Sequence, residues 1–406
     1  MPADFKRLMA ARFFFSFAVQ MQVIVLGWRM YELTHDPLQL GLIGLVEAIP
    51  ALSLALFAGY IVDHSNPLRI YRKVVMVSFT SGMLMLFSQL KQFDVSVQMQ
   101  VTLLFASSFL TGLARSFSQP AMYSMVPKLI PKNLIPKSSA YMSGAMQVSR
   151  ISGPALGGLF YGFIGVSGTA SIVCLLLLVT LSFLFLIKLS HVNKERDRSR
   201  SIKEELLVGA RFVFRHPILF PALTLDMVSV LFGGVTALLP IYAAEILMTG
   251  PKGLGILRAA PAVGATLVSL ILIRWEIKKK AGPWLFAAVT GFGISILVFA
   301  VSRDFTLSLI ALAFSGAFDS VSMLVRTAAV QLSSPENMRG RISAVNSIFI
   351  GSSNELGEFE SGLAAKLLGA ATAAVMGGVV CLCTVGIVAI LCPTLRRLNL
   401  DDLENS

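Results

Sequence analysis

Charged side chains are scarce in this chain of 406 residues. Asp, Glu, Lys and Arg together make up 14% of it, whereas hydrophobic residues make up 55%. Soluble domains carry about 25% charged residues, and the mean hydropathy here is +0.76. This composition does not fit a water-soluble globule and predicts a protein that lies within a membrane.

Cysteine and histidine are also rare, with four of each. All four cysteines lie in apolar runs, where a free thiol behaves as a small hydrophobe, and the histidines do not cluster. The chain has no glycine-rich phosphate loop and no nucleophile elbow. We therefore predict no catalytic residue, no enzyme activity, no cofactor and no metal site.

Long apolar runs fill most of the chain. A helix needs about 20 apolar residues to cross a bilayer, and helices are the spanning structure that runs of this length favour. Twelve such runs predict twelve transmembrane helices: 11–32, 38–62, 73–90, 97–124, 138–163, 166–188, 217–244, 253–274, 282–301, 305–329, 341–366 and 370–392.

Basic residues gather in every second gap between these runs. The 34 lysines and arginines exceed the 22 acids, which gives a net charge of +12. Because Lys and Arg accumulate in cytoplasmic loops, this alternation places both termini in the cytoplasm of a multi-pass plasma-membrane protein, in bacteria the inner membrane. The lipid bilayer then accounts for the basic excess, so we expect no nucleic-acid partner.

The chain contains an internal repeat. When it is offset by 204 residues, 105–165 match 309–369 at fourteen positions that include the loop pairs Pro131/Pro335 and Asn133/Asn337. Parallel repeats of this kind form two similar bundles. The predicted divisions are a six-helix bundle in 1–188, a basic linker with an interfacial helix in 189–216, a second six-helix bundle in 217–395 and a cytoplasmic tail in 396–406.

The loop after the second span carries a recognisable motif. Gly59 is followed by Asp63, a turn at Asn66–Pro67 and the basic residues Arg69 and Arg72. It resembles the loop signature of the major facilitator superfamily, although His64 stands where Arg or Lys is usual. The resemblance implies that Asp63 latches a cytoplasmic gate by facing the start of the helix near Arg339–Ile342; the alternative is a solvated acid that holds the turn.

A second motif lies in the fifth span. Its spaced small residues are similar to the exporter signature of the same superfamily, and they allow close helix packing around a bend. We assign these residues, together with the nearby arginine, to gating, with plain packing as the alternative: Arg150, Gly153, Pro154, Gly157 and Gly158.

The second half adds a closer match. Residues 255–264 and 339–362 look like the drug:proton antiporter branch, which includes macrolide efflux proteins, enterobactin exporters and transmembrane secretion effectors. The resemblance implies an all-α major facilitator fold of two pseudo-symmetric bundles and a monomer that exports small amphiphilic molecules in exchange for protons. Two alternatives stay open: an importer or lysophospholipid translocator of the same fold, and a membrane scaffold that transports nothing.

Charged residues within the spans are the candidate functional residues, because each costs about 2.5–3.5 kcal/mol at bilayer depth. The repeat pairs Arg115 with Asp319, which predicts ion pairs between the two halves. The candidate proton carriers are, in order of preference, Glu355 or Glu358, then Asp319, Asp226 and Glu47. The resemblance nominates spans 1, 4, 7 and 10 as the cavity lining, with the polar candidates Gln20, Gln22, Arg115, Asp226 and Asp319.

Overall fold

The computed structural model describes residues 1–88, 95–188, 202–275, 277, 279–335 and 338–404; within them some side chains are not described, among them those of Asp63 and Arg339. The described residues form helices and connecting turns and no strand. The helices are α1 Ala3–Thr34, α2 Pro37–Ser53, α3 Ala55–Asp63, α4 Pro67–Phe87, α5 Val97–Leu129, α6 Ile135–Phe185, α7 Ile202–Arg215, α8 Leu219–Gly233, α9 Leu239–Ile241, α10 Gly250–Leu272, α11 Ala281–Val301, α12 Phe305–Ser333, α13 Arg339–Leu368, α14 Ala370–Leu391, α15 Pro393–Arg396 and α16 Leu400–Glu404.

Short polar residues start several of these helices. The side chain of Asp36 accepts a hydrogen bond from the backbone N–H of Leu38 at 3.0 Å, immediately before Pro37 opens α2. Asn66 does the same for Leu68 at 3.0 Å before Pro67 opens α4. Each pair combines an N-cap with a proline at the first helical position, so the predicted Asn-Pro turn is in fact a helix start.

The predicted runs do not map one to one onto helices. The second run is divided between α2 and α3 at Leu54, four residues after Pro50, which cannot donate a backbone hydrogen bond. The fifth and sixth runs are the two helical segments of α6, which meet at a kink at Gly165, between the predicted bounds of the two runs. The seventh run continues past α8 through α9 into a π-helical turn, Tyr242–Ile246.

The described residues confirm an all-α membrane protein. Nine of their helices are long and apolar enough to cross a bilayer, and α6 has the length for two crossings. The helix α13 is not among the nine, because Glu355, Glu358 and Glu360 lie close together on it. The linker helix expected over Ile202–Phe214 is α7, Ile202–Arg215; the basic residues 189–201 before it lie outside the described part of the chain.

The chain divides into two compact units. The first comprises Met1–Glu195 and Leu239–Ala259, and the second comprises Arg196–Leu238 and Ala260–Ser406. Each unit has its own apolar core. In the first, Phe5, Leu8 and Tyr71 are fully buried among α1, α4, α5 and α6; in the second, Leu225, Leu285 and Val325 are buried among α8, α11 and α12.

Repeat-matched glycines occupy matched places. Gly165 in the first unit has φ +69° and Gly369 in the second has φ +85°, a backbone conformation that favours glycine, and each lies between two long helical segments. Gly112 on α5 packs against the backbone of α2 at Glu47, and Gly316 on α12 packs against the backbone of α10. These shared conformations support the internal repeat found in the sequence.

Candidate functional site

A buried ion pair lies within the second unit. Arg326 on α12 pairs with Asp226 on α8, and the two residues are 5% and 6% exposed. Arg326 also donates from its Nε to the hydroxyl of Ser322, one turn earlier on the same helix, at 3.3 Å. An ion pair this deep is held in place by the packing of the two helices, because either charge alone would be costly there.

A second acid belongs to the same cluster. Asp319 lies two turns before Arg326 on α12, and the charge of Arg326 acts on it as well as on Asp226. Arg326 therefore forms an ion pair with Asp226 and acts on Asp319 through its charge. Arg326 was not among the residues predicted from the sequence, although a helical separation of seven residues from Asp319 places both residues on one face.

The first unit has a separate ion pair. Arg115 on α5 donates to Glu47 on α2 at 2.6 Å. This pair lies within the first unit, and the pairing of Arg115 with Asp319 between the two halves stays a prediction. The reason for the pair with Glu47 is local: Gly112, one turn before Arg115, lets α5 approach the Glu47 backbone so closely that a Cβ would collide with its carbonyl.

Two of the candidate proton carriers, Glu355 and Glu358, lie on α13 in the second unit. Glu355 is 7% exposed, and Glu358 is partly buried one turn later. Both make interactions within the protein. Gly357 between them packs against the backbone of α8 at Leu231. This stretch of α13 therefore contacts α8, the helix that carries Asp226.

The two cavity candidates of α1 have different surroundings. Gln22 is fully buried, and its Nε2 donates to the hydroxyls of Ser81 at 2.6 Å and Thr111 at 3.2 Å. Ser107 completes this cluster, because its hydroxyl and that of Ser81 are 2.7 Å apart. Gln20 is partly exposed and contacts α6 at Gly153. Gln22 therefore joins α1 to α4 and α5 inside the first unit.

The small residues of α6 form a close helix–helix contact. The positions where a Cβ would be crowded follow α1 turn by turn, from Gly153 beside Phe17 to Gly157 beside Met21. On its other side, α6 meets α10, where Gly158 lies against the backbone of Gly255 and Pro251. These contacts include every glycine assigned to gating in this span, and they show why the spacing requires small side chains.

The loop motif after the second span is only partly described. A Cβ on Gly59 would meet open space, and Arg69 is exposed. Arg72 donates from Nη2 to the carbonyl of Leu184 at 2.8 Å, so it caps the C-terminal end of α6. The latch of Asp63 against the helix that begins at Arg339 involves side chains outside the described residues and stays a prediction.

A further polar cluster, absent from the sequence candidates, joins α1 to the segment after α9. Tyr31 donates a short hydrogen bond to Glu245 on the π-helical turn. One residue on, Glu32 accepts from Arg29 at 2.7 Å and from the Tyr161 hydroxyl of α6 at 2.7 Å. The π-helical turn is the one signal that could have drawn attention to Glu245, since such turns are frequent at functional sites, and it is not visible in the sequence.

Comparison with known proteins gives a consistent result. The family described as "Transmembrane secretion effector" matches residues 3–406. An uncharacterized MFS-type transporter of Bacillus subtilis (strain 168), YjbB, is 28% identical over 362 residues, which are 84% of each chain. The enterobactin exporter EntS of Salmonella choleraesuis (strain SC-B67) is 21% identical over 341 residues, which are 84% of this chain and 80% of that one.

Solved transporters share the fold. A POT family transporter in complex with 5-aminolevulinic acid superimposes with a TM-score of 0.76 at 12% identity over 97% of both chains. A bacterial homologue of the iron transporter ferroportin, in an inward-facing state, gives a TM-score of 0.72 at 16% identity over 98% of this chain and all of that one. At these identities the likeness concerns the fold alone.

Proposed function

Because this chain belongs to the transmembrane secretion effector family of major facilitator transporters, we propose that it exports small amphiphilic molecules in exchange for protons. Membership of the family makes it a secondary transporter in a membrane that moves a small-molecule substrate. Export, proton coupling, a monomeric state and cytoplasmic termini are the parts of this proposal that go beyond the family.

The cluster of Asp226 and Arg326, which are buried, and Asp319, which is partly exposed, carries the proposal. With both acids ionised, the cluster has a net charge of −1, and a single proton makes it neutral. Burial favours the neutral state, because charge is costly away from water. Such a cluster therefore binds one proton where it is shielded and releases it where water reaches an acid.

Proton binding also changes what Arg326 holds. When Asp226 is protonated, the charge-assisted bond between α8 and α12 weakens. The remaining attraction of Arg326 is then to Asp319, which lies on its own helix, α12. The cluster thus links a proton to the attachment of two helices that, by resemblance, line the substrate cavity. Coupling of this kind needs one element with two arrangements that the proton biases. For this reason we place Asp226 and Asp319 ahead of Glu355, Glu358 and Glu47 as proton carriers.

The test is substrate uptake into inverted vesicles with an imposed pH gradient. Cationic dyes, macrolides and catecholate siderophores form the panel. We expect uptake that stops when the gradient is collapsed, and that falls to the background level in Asp226→Asn and Asp319→Asn. Substrate exchange down its own gradient should survive in these variants, because it needs no proton.

Asp4→Asn is the matched control. Asp4 also pairs with an arginine, Arg7, at 2.7 Å, but at the exposed start of α1, so uptake should be unchanged. Gradient-driven uptake that is the same in Asp226→Asn, Asp319→Asn and the parent chain would refute the proposed coupling. Uptake indifferent to the gradient would support facilitated or lipid transport, and the absence of any transport would support the scaffold.

A further inference from the structure

Arg12 is a buried cation of the first unit. It lies on α1, is 6% exposed, and donates from Nη1 to the hydroxyl of Ser118 on α5 at 3.3 Å. A guanidinium has five N–H donors, and a neutral hydroxyl does not balance its charge. Among the ion pairs of the described residues, none involves Arg12.

Arg150 is the neighbouring cation. On α6, Ser149 donates to the carbonyl of Phe13 on α1 at 3.3 Å. Arg150 follows Ser149 and Arg12 precedes Phe13, so the two arginines lie at the same level of the contact between α1 and α6. The charge of Arg12 acts on Arg150. The side chain of Arg150 is exposed, and no carboxylate of the described residues forms an ion pair with it.

Arg12 is poorly hydrated at this depth, and the charge of Arg150 repels it, which disfavours the empty site. An anion that reaches Arg150 offsets this repulsion and forms charge-assisted hydrogen bonds.

Aromatic rings lie beside these cations. Phe13 and Phe17 stack on each other along α1 with ring centroids 5.9 Å apart, and both are partly exposed. They occupy the same two turns of α1 that α6 follows from Ser149 to Gly153. A ligand with an anionic group on Arg150 would place an aromatic body against this stack.

We propose that Arg12 and Arg150 form a binding site for aromatic carboxylates, with Phe13 and Phe17 holding the ring. The proposal rests on the proposed export function, since it names the class of substrate that this transporter would carry. Arg150 contacts the carboxylate directly, and Arg12 stabilises it through its charge.

The experiment compares acids with their neutral amides. The purified full chain in lipid nanodiscs is titrated at pH 7.5 with salicylate and salicylamide, and with 2-naphthoate and 2-naphthamide, by calorimetry. We expect each acid to bind at least about tenfold more tightly than its amide. Arg150→Gln should remove this difference without weakening amide binding, and Arg150→Lys should retain part of it.

Arg303→Gln is the control, because Arg303 is an exposed cation outside this site, and the acid preference should persist in it. Equal binding of acids and amides, or no binding of either acid, would overturn the proposal. So would an equal loss for both ligands in Arg150→Gln. Gradient-driven uptake of the dye panel together with equal binding of acids and amides would refute this inference alone. Tighter binding of acids than of amides without any gradient-driven uptake would refute the proton coupling alone.

Discussion

Ser81 holds together the polar cluster inside the first unit. Its hydroxyl lies 2.6 Å from the Gln22 amide, 2.7 Å from the Ser107 hydroxyl and 3.1 Å from the Thr111 hydroxyl. The hydroxyls of Ser107 and Thr111 also donate to backbone carbonyls, at 3.0 Å each. The cluster therefore depends on Ser81 more than on any other member.

We predict that Ser81→Ala destabilises the protein by about 1–3 kcal/mol, because the buried Gln22 amide loses its shortest acceptor. Gln22→Met should cost less, because the three hydroxyls keep each other as partners and the Oε1 of Gln22 has no partner to lose. Thermal unfolding in detergent measures both. A larger loss in Gln22→Met than in Ser81→Ala would contradict this assignment.

Gly112 is the second residue whose substitution has a clear expected result. A Cβ there would collide with the Glu47 carbonyl and lie 2.8 Å from Pro50. Gly112→Ala should separate α2 from α5, weaken the Glu47–Arg115 pair and cost about 1–3 kcal/mol. Gly144→Ala is the control: its Cβ meets nothing within 4 Å, so it should be neutral or stabilising by about 0.5–1 kcal/mol. Equal melting temperatures for the two variants would refute the collision.

Among the elements, α8 begins at a titratable cap. The Nδ1 of His216 accepts from the backbone N–H groups of Ile218 and Leu219, at 3.2 Å each. Only the neutral ring can do this, and a positive charge at a helix N-terminus is unfavourable. Burial lowers the pKa of His216 below its usual value of 6.5.

The sign of the pH effect follows from this lowered pKa. Below pH 6.5 the unfolded chain takes up a proton that the folded chain resists, so the stabilisation is present at neutral pH and declines as the pH falls. We predict that the melting temperature of the parent drops between pH 7.5 and pH 5.5 by more than that of His216→Asn, whose amide oxygen caps without titrating. Parallel curves would rule out this role.

The helices themselves were largely predictable, and so was one of their joints. Apolar length locates α1, α4, α5, α11 and α14, because any sequence of that kind must bury its backbone in the same way. The break predicted between the fifth and sixth spans coincides with the kink of α6 at Gly165, where φ is +69°. The division of the second span at Leu54, four residues after Pro50, was missed, because apolar length does not locate a break inside a run.

At the scale of the whole molecule, the basic loops predict where the ends lie. In a chain without native cysteines, single cysteines at Asp4 and Asp401 should react with an impermeant maleimide only after the cells are opened, whereas one at Ser96, in the third gap, should react in intact cells. Mass shifts on gels report the reaction. Labelling of one terminus from each side would refute the even number of spans and with it the two-bundle arrangement.

The sequence alone determined the class of molecule. Scarce charge, long apolar runs and alternating basic gaps lead to a helical membrane protein, because the bilayer imposes the same length and hydrogen-bonding demands on every span. The loop and span motifs led to the superfamily that the comparisons confirm. The match at an offset of 204 residues also anticipated the shared backbone conformation of Gly165 and Gly369.

Only the tertiary structure decided which charges meet. Sequence placed Arg115, Asp226 and Asp319 at bilayer depth, but the pairing of Arg115 with Glu47 and of Asp226 with Arg326 depends on how each helix is rotated and how closely its glycines let a neighbour approach. The partners of Gln22, the hydroxyls of Ser81 and Thr111, likewise depend on how α1 packs against α4 and α5. Hydropathy gives the depth of a side chain in the membrane, and its partners follow from packing between helices that are distant in sequence.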